Sequence, residues 1–117
     1  MQFNYGCATD VGRKRSQNQD SVRSEADLGL FIVADGMGGH QGGETASKMV
    51  AEIVPEVIRQ AQNQGGTSWN PKAALTRAIE TASRAIFERA LQDPSLHGMG
   101  TTAVTGVLKD DVLTIGH

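Results

Sequence analysis

The sequence predicts an α+β fold in which two helices pack on an antiparallel sheet, and three features of its 117 residues carry that expectation. Short apolar runs bounded by polar or glycine-rich segments lie near both ends, at 2–8, 28–34, 100–108 and 112–115. Between them, two longer stretches repeat apolar residues at three- and four-residue steps, as amphipathic helices do. The last two runs are separated only by Lys109-Asp110-Asp111, which reads as a hairpin turn.

Each element has a local reason. The run 2–8 places Phe3 and Tyr5 on one face of a first strand, and 13–24 is a polar loop. The run 28–34 is the next strand, with 35–43 as its glycine-rich exit. A helix is expected to begin near Gly43, because Ala46, Met49, Val50, Ile53 and Val57 share a helical stripe and Glu44 suits the positive end of the dipole. Pro55 falls inside that stripe and is expected to kink or interrupt it. Asn70-Pro71 reads as an N-cap followed by proline at the first helical position. Leu75, Ala78, Ile79, Ala82 and Ile86 form the second stripe, which should stop before Asp93-Pro94.

Composition narrows the function. One domain at most fits this length, with a modest core. A net charge of −2 argues against nucleic-acid binding through bulk charge, and Arg13-Lys14-Arg15 is too short for a basic tail. Cys7 is the single cysteine, which rules out an internal disulfide and a cysteine-based zinc cluster. No apolar run approaches the length of a membrane span and no signal-peptide pattern opens the chain, so no membrane association and a cytoplasmic location are expected.

Two segments carry chemistry. In Phe31-Ile-Val-Ala-Asp35-Gly36-Met37-Gly38-Gly39-His40, an apolar run ends in a carboxylate and a glycine-rich turn. Glycines there let the backbone approach a ligand closely. Asp35 either caps the turn or holds a cation. Upstream, Arg15-Ser-Gln-Asn-Gln19-Asp20 runs a basic cluster into a second carboxylate. Arginine presents a planar fork suited to phosphate oxygens, and carboxylate oxygens suit Mg²⁺ or Mn²⁺. A solvated turn with a surface ion pair is the plainer reading of the same residues. Gly98-Met-Gly100-Thr101-Thr102-Ala103 fits the letters of a dinucleotide fingerprint, but that motif needs a strand before it and a helix after it, and here the order is reversed.

Arg15 to Asp20, Ala34 to His40 and Gly98 to Thr102, in this order, resemble the metal-dependent serine/threonine protein phosphatases of type 2C, closest to their bacterial branch. The resemblance runs from about Tyr5 to the last residue. It implies an antiparallel β-sandwich flanked by helix pairs, of which 1–117 would be the N-terminal part, truncated at its C-terminus. It also implies hydrolysis of phosphoserine and phosphothreonine in proteins by water activated between two Mn²⁺ or Mg²⁺ ions. Asp35 would bridge the ions, the Gly36 carbonyl would add a ligand, and Asp20 would hold the site directly or through water. Arg15 would grip the phosphate. His40 would protonate the leaving group, or else stand as a loop histidine bonded to backbone. Partners would be phosphoproteins, with a cognate kinase acting on the same substrates.

Two departures from the family pattern bear on this. Gln19 stands where many members have glutamate, so it adds no charge beside Asp20. Met37 stands where some members have histidine. Further metal-binding aspartates expected downstream have no counterpart, since Asp110-Asp111 sits in the hairpin turn. Weak or absent activity of the chain alone is therefore expected, and a non-catalytic fragment that binds metal or phosphate is the alternative.

Overall fold

The computed structural model describes residues 20–37, 39–96 and 98–116. They form an α+β fold with one antiparallel sheet of four strands in chain order, β1 (Asp20–Glu25), β2 (Leu30–Met37), β3 (Gly100–Lys109) and β4 (Val112–Gly116). Two helices, α1 (Gly39–Gly65) and α2 (Pro71–Gln92), connect β2 to β3. The expected strand 2–8 lies outside the described residues.

Period-two alternation decides the sheet. Along β2, Leu30, Ile32 and Ala34 are buried completely, while Val33 and Met37 are 46% and 51% exposed. The buried set meets Val50, Val54 and Ile58 of α1 and Leu75, Ala78 and Ala82 of α2, with Val107 of β3 closing the core. Burying each large aliphatic side chain of this set contributes about 1.5–3 kcal/mol. The other sheet face is also apolar. Val33, Met37, Val104 and Ile115 remain exposed there, and the Phe31 ring lies across Gly106. The described residues thus form one layer of the expected sandwich, with helices on one side only.

The capping signals at α2 hold. Asn70 Oδ1 accepts from the Ala73 N–H at 3.1 Å, Pro71 opens the helix, and Gln92 closes it before Asp93-Pro94. The hairpin holds too: Lys109 pairs with Val112, and Asp110 and Asp111 take φ of 50° and 65°, the left-handed pair a two-residue turn requires.

Four expectations need correction. The polar stretch 13–24 was expected as loop, yet Asp20–Glu25 is a strand. Its pattern is too polar to read as a strand because Ser21 and Arg23 face α1 through hydrogen bonds to Ser47 and the Ala51 carbonyl rather than through apolar packing. Strand β2 begins and ends later than expected, so Asp35 lies inside it rather than at its end. Helix α1 starts at Gly39 rather than near Gly43.

The fourth concerns Pro55, which does not interrupt α1; the helix runs through it from Gly39 to Gly65. A helical proline cannot donate to the carbonyl four residues earlier, here that of Ala51. The Arg23 guanidinium donates to the Ala51 carbonyl at 3.3 Å. Strand β1 therefore supplies the donor that Pro55 lacks.

Candidate metal and phosphate site

Register, more than proximity in sequence, assembles the site. In the β1–β2 ladder Asp20 is the partner of Asp35, and in the β2–β3 ladder Asp35 is the partner of Thr102. Directly opposed residues of an antiparallel pair share a face, with Cβ atoms about 5 Å apart. Asp20, Asp35 and Thr102 thus occupy one row across three strands. Gly36 is the next position along β2, opposite Thr101, and is buried. Asp35 is exposed, on the same sheet face as Val33 and Met37.

Neighbouring elements hold this end of the sheet. The Thr102 hydroxyl donates to the Asp35 carbonyl at 3.5 Å. Ser21, beside Asp20, donates through its hydroxyl to Ser47 Oγ at 3.1 Å, and the completely buried Ser47 donates to the Glu44 carbonyl at 3.2 Å. The start of β1 is in this way tied to the third turn of α1. The start of α1 is fixed from its other side by Ala46, Leu96 and Met99, a buried cluster with Met49, Ile86 and Ala90 packed on it. Gly42 fits against Met99 so closely that a Cβ there would sit 3.0 Å from Met99 Cβ.

Of the five candidate site residues, the structure brings together Asp20, Asp35 and Gly36. His40 is the second residue of α1, in the helical turn that follows β2. Arg15 lies outside the described residues, as does Gln19. The Ser21–Ser47 link was not anticipated, and an isolated serine in a helical stripe gives no signal for it. Among the described residues, no group of three or more His, Cys, Asp or Glu converges on one point. Residues Asp20 and Asp35, opposed in register, and the Gly36 carbonyl are by chemical type hard-oxygen donors, the kind that Mn²⁺ and Mg²⁺ prefer.

Comparison with known proteins decides the family. The family model for Protein phosphatase 2C matches residues 10–117. The chain belongs to the protein phosphatase 2C family. It is 36% identical over 104 residues to the serine/threonine protein phosphatase PstP of Mycobacterium tuberculosis, covering 89% of this chain and 19% of that protein. It is 30% identical over 112 residues to the serine/threonine phosphatase stp of Listeria monocytogenes, covering 93% of this chain and 44% of that protein. The crystal structure of Mycobacterium tuberculosis PstP/Ppp superposes with a TM-score of 0.77 at 32% identity, over 92% of this chain and 43% of that one. A PstP catalytic domain in complex with two manganese ions gives a TM-score of 0.68 at 29% identity, over 92% of this chain and 52% of that one. The phosphatase 2C chain described here thus spans less than half the length of these two sequence relatives.

Proposed function

We propose that this chain forms the part of a type 2C phosphatase catalytic domain that contributes Asp20, Asp35 and the Gly36 carbonyl to a two-metal centre. The complete domain would hydrolyse phosphoserine and phosphothreonine in proteins. The observation that carries this reading is the register: Asp20 faces Asp35 across β1 and β2, one position from Gly36. A bound pair of Mn²⁺ or Mg²⁺ ions supplies charge neutralisation at the phosphoryl group and lowers the pKa of water.

The chain's own residues do the rest. Asp35 and the Gly36 carbonyl would hold the cations, Asp20 would hold the site directly or through water, and Arg15 would grip the non-bridging phosphate oxygens and orient phosphorus. His40 delivers a proton to the leaving oxygen. Phosphoproteins that are also substrates of a cognate kinase, in the cytoplasm, are the proposed setting. The manganese-bound relative supports the choice of metal.

The deciding experiment is Mn²⁺-dependent hydrolysis of a small aryl phosphate, with Asp35→Asn as control. Turnover lost in Asp35→Asn means that the chain itself assembles a working centre. Manganese binding that Asp35→Asn weakens, without turnover, identifies a partial site needing further carboxylates, and adding the missing part of the domain in trans should then restore activity. Manganese binding unchanged by Asp35→Asn would refute the assignment.

A further inference from the structure

We propose that Ser47 is a positioning residue for Asp20: acting through Ser21, it fixes the register of β1 and so keeps Asp20 opposite Asp35. This role rests on the reading of both carboxylates as cation ligands. Strand β1 lacks the feature that pins most strand registers, an apolar face pressed into the core. No residue from Ser21 to Glu25 is buried. Its partner strand β2, by contrast, buries Leu30, Ile32 and Ala34 completely.

Hydrogen bonds to α1 take over that task. Ser21 and Arg23 pair with Ala34 and Ile32, so both lie on the helix-facing side of the sheet. The Ser21 hydroxyl donates to Ser47 Oγ at 3.1 Å, and the Arg23 guanidinium donates to the Ala51 carbonyl at 3.3 Å. The spacings match, since two residues of strand advance about 6.6 Å and four residues of helix about 6 Å. Both bonds therefore form in a single register. Successive strand positions face opposite sides, so Ser21 held toward α1 puts position 20 on the other side, in the row of Asp35. A slip of one residue would set Ser21, not Asp20, opposite Asp35 and would break the bond to Ser47.

Of the two bonds, the one at Ser47 lies next to Asp20. Ser47 is completely buried, and its own hydroxyl proton goes to the Glu44 carbonyl at 3.2 Å. Its oxygen is left to accept, and that direction fixes where Ser21 sits. Alanine is the better helix former, so helix propensity gives no reason for a hydroxyl here.

Titrating Mn²⁺ into the intact chain, with free Mn²⁺ read by electron paramagnetic resonance, tests this role alongside amide hydrogen exchange. Expected are saturable binding that Asp35→Asn weakens, and affinity about tenfold lower in Ser47→Ala, the lower end of what groups behind metal ligands contribute. Ser21→Ala breaks the same bond from its other end, so it should lose the same factor, and the double variant no more. Exchange at residues 20–22 should quicken in all three, with 30–34 unchanged. Asn70→Ala removes the cap of α2 and should bind Mn²⁺ as the unaltered chain does, which separates loss of position from general loss of stability. Equal affinity in Ser47→Ala and the unaltered chain overturns the positioning role and leaves the metal reading intact. A loss in Ser47→Ala that Ser21→Ala does not share, or an equal loss in Asn70→Ala, does the same. Absence of any binding that Asp35→Asn weakens overturns the metal reading and the role of Ser47 with it.

Discussion

The pairing of Arg23 with the carbonyl that Pro55 leaves without a helical donor makes a sharp quantitative prediction. Replacing Arg23 by methionine keeps an apolar stem and removes the donor, so the Ala51 carbonyl loses its 3.3 Å partner. An unsatisfied buried carbonyl costs about 1–3 kcal/mol. The Arg23 side chain is 43% exposed, so water can partly take its place, and the loss should be near the lower end, about 1 kcal/mol. Pro55→Ala restores an N–H that can bond Ala51 within the helix, and in that background the loss of Arg23 should cost almost nothing through this route. The two substitutions should therefore couple by about 1 kcal/mol in a double-mutant cycle. The hydrogen bond from Arg23 to Glu25 at 2.8 Å is broken on both sides of the cycle and cancels. Urea unfolding followed by circular dichroism, with a constant slope across the four proteins, measures the coupling. Additivity within about 0.3 kcal/mol would refute the reasoning, because it would mean that Arg23 does not stand in for the missing helical donor.

Three further outcomes follow from local geometry. Gly29 has φ of +65° and a Cβ there would lie 2.6 Å from the Leu108 carbonyl oxygen, so Gly29→Ala should lower unfolding free energy by about 2 kcal/mol or more in the same assay. Asn70→Ala removes the acceptor for the Ala73 N–H and should cost about 1 kcal/mol, with helix loss starting at 71–75 in hydrogen exchange. The Ser95 hydroxyl, then the Ser95 backbone N–H, donates to Asp93 and holds its carboxyl below the ordinary 3.8. A carboxyl with a depressed folded-state pKa adds stability above its unfolded value, and that contribution disappears as pH falls through the folded value. Ser95→Ala should accordingly move the Asp93 midpoint upward toward 3.8 in an NMR titration, and an unchanged midpoint would contradict the hydroxyl's role.

Much of this architecture was legible because its causes are local. The Asn70 cap, the stop at Asp93-Pro94, the Asp110-Asp111 turn and the apolar stripes of α1 and α2 each depend on residues a few positions apart. Strand β1 was not legible for the opposite reason. Asp-Ser-Val-Arg-Ser-Glu shows no clean apolar alternation, since Ser21 and Arg23 face α1 through hydrogen bonds to Ser47 and Ala51 rather than through apolar packing. The same misreading hid the arrangement of the site. With 13–24 taken as a loop, Asp20 and Asp35 were two carboxylates joined only by a family pattern; as a strand, residues 20–25 place them in one cross-strand row with Thr102. Pro55 closes the argument: proline inside a helical stripe predicts a break only if the freed carbonyl stays unmet, and the donor that meets it comes from β1. The polar character that disguised this strand is therefore what lets α1 run unbroken against the sheet and hold Ser47 beside the start of β1, next to Asp20.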